Sequence, residues 1–488
     1  MTASNATLLA VVLPLLGAPL IGLLGQRPNL REAATLATGG VLFFVVLSLV
    51  PEVLSGSRPG IEILEVMPGL AFAFEVEPLG MLFGLIASGL WILTSLYSIG
   101  YMRGHDEPDQ TGFYVFFAVA ITGALGVAFA RNLFTLFIFY ELLTLSTYPL
   151  VTHHRTEEAL RSGRIYMGIL LGTSVGLMLL AVVWTWNLTG TLEFEPGGIL
   201  AGKASPAVVG ILLALYAFGT GKAALMPFHR WLPAAMVAPT PVSALLDAVA
   251  VVKAGVFTVM KIVVYIFGID LLANTGMSLW LAYVAAATLL IASLVALTKD
   301  NLKARLAYST VSQLSYVVLG AAIANSWGII GGSMHIAMHA FGKITLFFCA
   351  GAIMVAAHKT EISDMAGIGK TMPITMFAFF VGSLSVIGLP PLGGSWSKWY
   401  LALGAADADR TILVGVLIVS SLLNVAYLMP VVARAFFATP ATVSAGPSPV
   451  REAPAFCVVP LCLTALGCLA LFFCGDDIYR LLAPIAVR

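Results

Sequence analysis

The feature that most constrains this chain is a succession of long apolar runs that contain almost no charged residues. A transmembrane helix needs about 20 consecutive apolar residues, and the 488 residues divide into fourteen such runs. We place these spans at 7–25, 33–51, 79–101, 113–130, 132–150, 164–187, 207–226, 241–267, 279–297, 304–324, 327–357, 372–404, 411–437 and 455–474. Only 10% of the residues are charged, against about a quarter in a soluble domain. The sequence therefore predicts an all-α polytopic membrane protein.

Basic residues are distributed unequally between the two sets of loops. Loops that follow odd-numbered spans carry 14 Lys and Arg residues, and the opposite side carries 6. Because cytoplasmic loops are enriched in Lys and Arg, we expect a multi-pass protein of the cell membrane with both termini on the non-cytoplasmic side. The totals of 25 basic and 24 acidic residues nearly cancel, so charge indicates no nucleic-acid partner.

Several ionisable side chains lie inside the spans. A charged residue near the bilayer centre costs about 2.5–3.5 kcal/mol on insertion scales, so a passive anchor is not expected to carry many. Such a set indicates an ion path. Its members are Glu141, Lys222, Asp247, Lys253, Lys261, His335, His339, Lys343 and Lys398.

Some of these residues also have a simpler interpretation. Lys261 lies near the outer end of span 8 and is expected to extend its amine to the membrane interface. Asp247 lies one or two turns inside the same span, where it either acts in transport or faces cytoplasmic water. His335, His339 and Lys343 recur every four residues and share one helix face. Zinc is an alternative for the two histidines, but no Cys or carboxylate is near them in sequence, so we expect no metal.

Two spans contain helix breakers next to a lysine. Pro227 follows Lys222 in span 7, and Pro390, Pro391, Gly393 and Gly394 precede Lys398 in span 12. Proline removes a backbone donor and clashes with the preceding turn. Non-helical backbone survives at membrane depth only when it is buried in protein or lines a water-filled cavity. We therefore predict that helices 7 and 12 are broken.

The spacing of the broken spans suggests an internal repeat. Spans 7 and 12 are five apart, which divides the chain into helices 1–3 (1–112), a first five-helix repeat (113–267), a second (279–437) and a last helix (455–488). An odd number of helices makes the second repeat run in the opposite sense, and inverted repeats with broken helices mark transport sites. The sequence shows no dinucleotide, haem or iron–sulfur motif, so we expect no cofactor and no redox chemistry on this chain.

The motifs at these positions resemble those of the antiporter-like membrane subunits shared by respiratory complex I, membrane-bound hydrogenases and Mrp-type Na⁺/H⁺ antiporters. The resemblance runs over roughly 75–435 and is nearest to the shorter, Mrp D-like or hydrogenase-type subunits. It rests on Phe139-Tyr140-Glu141-Leu142, on Lys222-Ala223-Ala224-Leu225-Met226-Pro227-Phe228-His229-Arg230-Trp231, on Ala238-Pro239-Thr240-Pro241, on Leu306-Ala307-Tyr308-Ser309-Thr310, on His335, His339 and Lys343, and on Leu389-Pro390-Pro391 with Lys398.

The resemblance implies a role for each matched residue. Glu141 and Lys222 are implied to be the coupled acid–lysine pair, and Lys253 the lysine that connects them to span 11. His335, His339 and Lys343 are implied to form the central proton relay, with Lys398 as the terminal lysine. Asp247 and His229 are expected near the point of proton uptake. Asp247 stands where many relatives carry His, a departure from the family's pattern at that step.

The function we predict is proton translocation within a multisubunit complex, most directly a monovalent cation/proton antiporter. The expected partners are other membrane subunits, protons, Na⁺ and the lipid bilayer. One alternative is a proton-pumping subunit of a complex I-like NADH:quinone oxidoreductase or a membrane-bound hydrogenase, which leaves enzyme status open. Others are a proton-driven partner of an inorganic-carbon uptake protein, and a scaffold that retains unused charges.

Overall fold

The computed structural model of the chain describes residues 2–439 and 451–486. The remaining residues lie outside the description, including Arg488 of the basic-residue count. Twelve of the described helices are long and apolar enough to cross a membrane. The shorter apolar helices Pro206–Gly219 and Pro373–Ile387 fall in predicted spans 7 and 12. Each of the fourteen predicted spans thus corresponds to a helix or to a broken helix, and the all-α membrane fold is confirmed.

The first half of the chain forms these elements. They are α1 (Ala3–Leu23), α2 (Pro28–Leu47), α3 (Val50–Leu54), β1 (Gly60–Met67), β2 (Leu70–Glu75), α4 (Pro78–Gly104), α5 (Gln110–Ala128), α6 (Leu133–Val151), α7 (Glu157–Thr173), α8 (Leu179–Thr189), α9 (Pro206–Gly219), α10 (Trp231–Ala234), α11 (Thr240–Ala244) and α12 (Val251–Ile262). A π-helical turn, Ser174–Met178, joins α7 to α8, and another, Leu245–Val249, joins α11 towards α12.

The second half continues the same pattern. Its elements are α13 (Ile269–Thr275), α14 (Leu279–Thr298), α15 (Leu302–Ile323), α16 (Ser326–Ala357), α17 (Ile368–Thr371), α18 (Pro373–Ile387), α19 (Gly394–Asp407), α20 (Thr411–Phe437), α21 (Ala455–Phe473) and α22 (Gly475–Leu482). Side-chain oxygens of Asn132, Thr156, Asn301 and Asn325 accept backbone N–H groups at the starts of α6, α7, α15 and α16. These N-caps satisfy donors that helix ends otherwise leave unpaired.

A β-hairpin is the element that the hydropathy pattern does not predict. Strands β1 and β2 pair antiparallel, with Gly60 opposite Glu75 and Met67 opposite Leu70. The backbone of Glu75 also donates to the carbonyl of Phe129 at 2.7 Å. The hairpin therefore covers the ends of helices on the face that is poor in basic residues.

The helix of span 8 lies at the centre of the molecule. The segment Thr240–Phe267 is fully buried in its apolar window, whereas the windows of α20 and α21 are one-third buried. Outer helices instead present apolar side chains outward, such as Phe44 at 70% and Leu422 at 65% exposure. Because a helix that is apolar all round is stable only inside protein or lipid, the outer helices face the bilayer and span 8 carries its ionisable residues through protein.

Candidate functional site

The first helix break holds Lys222 inside the protein. Helix α9 ends at Gly219, and a 3₁₀ turn over Gly221–Ala223 places the Lys222 side chain, which is fully buried, against α6. Its Nζ donates to the carbonyl of Tyr140 at 2.8 Å and to the hydroxyl of Thr144, and it lies 3.3 Å from the centre of the Tyr140 ring. The break is thus stabilised by a cation–π contact and two hydrogen bonds from one amine.

Glu141 is next to Tyr140 in sequence but points elsewhere. Both of its carboxylate oxygens are buried, and neither has a hydrogen-bond partner among the described residues. The direct contact between Glu141 and Lys222 that the sequence suggests is not formed in this structure, because the amine is held by Tyr140 and Thr144 instead. A buried carboxylate with no partner is costly, so this acid is poised to gain one.

A close helix crossing brings the next lysine beside the first break. A Cβ added at Gly255 of α12 would lie 2.3 Å from the carbonyl carbon of Lys222, so only glycine permits this approach. Two residues earlier, the buried Lys253 donates to the carbonyl of Asp247 at 3.2 Å and contacts Nδ1 of His339. The chain therefore joins span 8 to span 11 at the predicted lysine and histidine.

Asp247 and Lys343 meet through α15. Oδ2 of Asp247 accepts a hydrogen bond from the Thr310 hydroxyl, which also lies 3.1 Å from the carbonyl of Leu306. Lys343 donates to that same carbonyl at 3.0 Å and to the Ser309 hydroxyl at 2.6 Å. Asp247 is fully buried, so the interpretation that it faces cytoplasmic water does not agree with the structure. Its role in transport stays a prediction.

The histidines continue the polar line along α16 towards the second break. The rings of His335 and His339 stack with centres 5.8 Å apart. His335 Nδ1 lies 2.9 Å from the Ser397 hydroxyl in α19, and its ring stacks on Tyr316 at 5.2 Å. The amine of Lys398 lies 4.7 Å from the same Tyr316 ring. Ser397 and Tyr316 therefore link the histidines to the last lysine.

The second break positions Lys398 at a helix end. Helix α18 ends at Ile387 and α19 begins at Gly394, where a Cβ would lie 1.9 Å from the carbonyl oxygen of Ser385. Lys398 donates to the carbonyl of Ile387 at 2.9 Å and to Ser421 at 3.4 Å. A cation is favourable at the carboxyl end of a helix. The other breakers, Pro390, Pro391 and Gly393, all fall in the non-helical segment between the two helices.

Lys398 also lines a recess at the surface of the described chain. The cavity has a volume of about 630 Å³, and its walls are mostly apolar side chains from α18, α19 and α20. Leu389 and Leu422, two of these wall residues, are exposed. The lysine thus lies between a polar interior and an apolar outer surface.

His229 is placed apart from this line of residues. It follows the span 7 break, is partly exposed, and its ring centre lies 6.2 Å from that of Tyr308 in α15. Its Nδ1 is buried without a hydrogen-bond partner among the described residues. Pro227, two residues earlier, is exposed. No contact joins His229 to the relay side chains within the described residues.

The expectation that Lys261 reaches the membrane interface is wrong. The residue is fully buried, and its amine forms an ion pair with Glu77 at 3.3 Å and donates to the carbonyl of Ala130 at 2.9 Å. Glu77 also accepts from the Tyr265 hydroxyl at 2.9 Å and from the backbone N–H groups at the start of α4. The hairpin and the adjoining loops cover this end of the molecule, so the amine of Lys261 contacts protein atoms and does not reach water.

Sequence reasoning missed the uncharged partners of the relay. Thr144, Ser309, Tyr316, Ser397 and Tyr427 all contact a relay residue or its partner, and the Ser309 hydroxyl lies 2.9 Å from that of Tyr427. Hydroxyl residues are common in membrane helices, where they donate to the carbonyl four residues earlier. Their one available signal is closeness in sequence to an ionisable residue, since Thr144 lies three residues after Glu141 and Ser397 immediately before Lys398. Ser309 lies on a span that carries none of the relay residues, so it gave no such signal.

Comparison with known proteins settles the family. The family described as "NADH:quinone oxidoreductase/Mrp antiporter, TM" matches residues 130–424, which contain every residue of the relay just described. The chain belongs to this family. Among its members, subunit N of the NADH-quinone oxidoreductase of Desulforudis audaxviator is 33% identical, over 80% of this chain and 81% of the relative. Subunit L from Mycobacterium tuberculosis is 31% identical, over 95% of this chain and 74% of the relative.

A further relative and two solved structures extend the comparison. Hydrogenase-4 component B of Escherichia coli is 31% identical over 67% of this chain, which spans 50% of that relative's length. A chain of the Mrp complex from Dietzia sp. superposes with a TM-score of 0.89 at 23% identity, covering 100% of this chain and 97% of the other. A chain of an archaeal membrane-bound sulfane sulfur reductase gives 0.86 at 24% identity, covering 99% and 97%. These two likenesses establish the fold.

The comparisons confirm the resemblance seen in the motifs. The chain is an antiporter-like membrane subunit of the kind found in Mrp, complex I and hydrogenase-type complexes. Its homologues and structural neighbours are subunits of multisubunit membrane complexes, which supports other membrane subunits as its partners.

Proposed function

We propose that the chain translocates protons as one subunit of a multisubunit monovalent cation/proton antiporter. The observation that supports this is a line of ionisable groups, most of them buried, that runs from one broken helix to the other. Its members are Glu141, Lys222, Lys253, His339, His335, Lys343 and Lys398. Burying so many ionisable groups is costly, and a role in moving charge accounts for them.

The coupling step in this proposal lies at Glu141 and Lys222. In this structure the amine is held by Tyr140 and Thr144, and the carboxylate has no partner among the described residues. A nearby carboxylate favours the charged form of a lysine, whereas burial alone disfavours it. A movement that brings Glu141 closer to Lys222 would load the lysine with a proton, and the reverse movement would drive that proton towards Lys253.

The central step passes through groups that both donate and accept. A neutral imidazole has one donor and one acceptor nitrogen, so His339 can take a proton from Lys253 and release another towards His335. The Nε2 atoms of both histidines are buried without partners among the described residues. In this proposal water molecules complete the path, since buried waters in proteins typically hydrogen-bond to polar groups that are otherwise unpaired.

The terminal step uses Ser397, Tyr316 and Lys398. The proton leaves His335 through the Ser397 hydroxyl, 2.9 Å away, and reaches Lys398 beside the Tyr316 ring. The break between α18 and α19 leaves backbone carbonyls exposed to that lysine, including that of Ile387 at 2.9 Å. Lys398 then releases the proton at the far side.

We further propose the arrangement of the chain in its membrane. The excess of basic residues in loops after odd-numbered spans supports a cytoplasmic membrane location with both termini outside the cytoplasm. The matched positions of the two broken helices support two inverted five-helix repeats, 113–267 and 279–437. Na⁺ would move elsewhere in the complex or along a branch of this path.

The experiment that tests the proposal substitutes, one at a time, the two residues of the coupling step. Vesicles that carry the assembled complex are loaded with Na⁺ and diluted, and proton movement is followed with a pH-sensitive dye. Lys222→Ala and Glu141→Ala are expected to abolish exchange while the complex still assembles, as judged by co-purification of the partners. Asp270→Asn, at an acidic residue of α13 away from the relay, is the control. Full exchange in both relay variants would overturn the proposal.

The second function to consider is proton pumping driven by electron transfer. It is supported by the identities of 33% and 31% to NADH-quinone oxidoreductase subunits. Mass spectrometry of the co-purified partners separates the two functions, because a redox complex contributes iron–sulfur proteins and an antiporter does not. Proton movement driven by NADH but not by a Na⁺ gradient would favour the redox-driven function.

A further inference from the structure

A second cluster of titratable side chains lies outside the relay, on the face that carries the loops after odd-numbered spans, here called the basic face. Glu107 follows α4 and is 6% exposed. Its carboxylate lies 3.1 Å from His154 Nε2, 4.0 Å from His153 Nε2 and 3.9 Å from His105 Nε2. Three histidines from two different loops thus surround one acid, and the proposed relay uses none of them.

The cluster combines burial with access to water. The Glu107 side chain is 3% exposed, whereas those of His154 and His105 are 34% and 30% exposed. The hydrogen bond that His154 donates to the Glu107 carboxylate raises the pKa of His154 above its ordinary value. Burial raises the pKa of Glu107, but the hydrogen bond and the charges of the histidines outweigh it, so the net pKa is lowered. The outer histidine therefore binds a proton readily and the inner acid stays charged.

A cavity leads from this cluster into the protein. Its volume is about 220 Å³, and it is lined by Glu107, His105, His154, Thr240 and Lys303 among others. Lys303 donates to the carbonyl of Ala238 at 2.6 Å. The polar lining and the volume suit several water molecules, each of which takes about 30 Å³ in the liquid.

Two helices connect the wall of the cavity to the buried pair of Asp247 and Thr310. Thr240 lies in the cavity wall seven residues before Asp247, and Lys303 lies there seven residues before Thr310 of α15. Asp247 and Thr310 are hydrogen-bonded to each other. At 1.5 Å per residue, the wall and the pair are about 10 Å apart. Oδ1 of Asp247 is buried with no partner among the described residues and can accept the proton.

We propose that Glu107 with His105, His153 and His154 is the group through which this chain exchanges protons with water on the basic face. The path from this group to Asp247 crosses the cavity beside Lys303 and then the roughly 10 Å of protein between the cavity wall and Asp247. This rests on the proposed function and adds a terminus to its path. A proton from water binds the His154 imidazole, passes through water in the cavity and joins the Asp247 carboxylate. The imidazole returns to its neutral form.

Other charged groups also face the cluster. Lys303 of α15 and Lys359, after α16, line the cavity together with Tyr101, and the ring of His358 lies 6.4 Å from that of His105. Asp109 pairs with Arg155 at 3.0 Å. The two lysines disfavour the protonated form of the histidines, and Asp109 favours it. Glu107 is the acid that lies within 4.0 Å of all three rings, so it is the group that favours their protonated form most directly.

The test measures proton uptake at the basic face in Glu107→Gln. Inside-out vesicles that carry the assembled complex are loaded with Na⁺ and diluted into Na⁺-free buffers of different pH. Loss of the acid lowers the pKa of His154. At a pH above the pKa, lowering the pKa by one reduces the protonated fraction of the imidazole about tenfold. We expect uptake to fall up to about tenfold near pH 8 and to remain within about twofold of wild type near pH 5.5, where imidazole is protonated. In a redox-driven complex, the same measurement is made on NADH-driven uptake.

Three comparisons make the result decisive. Glu157→Gln changes an exposed acid at the start of α7 on the same face and is expected to leave the pH profile unchanged. Glu107→Asp, or added imidazole buffer, is expected to restore uptake near pH 8, which a structural defect would not permit. Lys222→Ala, run in parallel, loses uptake at every pH. A wild-type profile for Glu107→Gln beside an inactive Lys222→Ala would overturn this inference alone, whereas an active Lys222→Ala would overturn the proposed function.

Discussion

The buried ion pair of Glu77 and Lys261 makes a prediction about stability that can be separated from transport. The two side chains are 3% and 1% exposed, with 3.3 Å between the amine and the carboxylate. Breaking a buried pair by removing one partner costs about 3–5 kcal/mol, because a charge remains buried without compensation. Glu77→Gln should therefore lower the folded-to-unfolded ratio about 10²-fold or more, at 1.4 kcal/mol per tenfold.

The double variant Glu77→Gln/Lys261→Met supplies the sharper comparison. The double variant removes both charges and so leaves no uncompensated charge inside the protein, which should make it more stable than Glu77→Gln alone. Loss of helix signal in circular dichroism during titration with sodium dodecyl sulfate measures both. Glu62→Gln, at an exposed acid of β1, is the matched control. Equal destabilisation of the single and double variants would refute the coupling.

The same double variant also tests whether Lys261 belongs to the relay. Its partners are a carboxylate and the carbonyls of Ala130 and Ala128 at 2.9 and 3.4 Å, with no contact to Lys253 or to the histidines among the described residues. We expect its rate of proton exchange to stay within about twofold of wild type once the amount of assembled complex is normalised. Exchange that disappears although assembly is normal would place Lys261 on the proton path.

Further predictions concern the relay itself. Lys398→Glu should keep partial exchange, because a carboxylate can also carry a proton, whereas Lys398→Leu should be inactive; equal loss in both would show that the sign of the charge matters there. Ser309→Ala should slow exchange about 10²-fold, the low end for a positioned proton-transfer group, without loss of complex on a native gel; an unchanged rate would remove Ser309 from the path. Gly255→Ala should reduce the amount of assembled complex, because its Cβ would lie 2.3 Å from the Lys222 carbonyl carbon; normal assembly would contradict the close crossing of these helices.

The sequence alone could identify those functional residues whose chemistry conflicts with their surroundings. A lysine or histidine in an apolar run is visible in one sequence, because its insertion is unfavourable unless something compensates it. Proline and glycine beside Lys222 and Lys398 are visible for a similar reason, since they oppose the helix that the run otherwise favours. Both helix breaks were therefore predicted, as were the ends of most spans.

Residues that agree with their local surroundings gave no such signal. Thr144, Ser309 and Tyr316 are ordinary members of membrane helices, and their contacts depend on a neighbouring helix that sequence spacing does not identify. Glu77 and Glu107 each lie just outside a span, where an acidic residue is common and gives no signal of burial. Their burial results from the hairpin and from the loop after α6, which are tertiary features. Lys261 was misplaced for the same reason.

The contacts of the lysines distinguish a relay position from a structural one. Lys222 meets one carbonyl and the Thr144 hydroxyl, Lys343 one carbonyl and the Ser309 hydroxyl, and Lys398 one carbonyl and the Ser421 hydroxyl. A hydroxyl donates as well as accepts, so it can hold the amine in both its charged and its neutral form.

Lys253 follows the same rule with an imidazole in place of the hydroxyl, since it meets the carbonyl of Asp247 and Nδ1 of His339. Lys261 does not follow it. Its oxygen partners are a carboxylate and backbone carbonyls, which only accept hydrogen bonds, and the carboxylate favours the charged ammonium form. We therefore expect Lys261 to keep one charge state. We infer that the pairing of one carbonyl with one group that both donates and accepts allows a buried lysine to lose a proton and regain it.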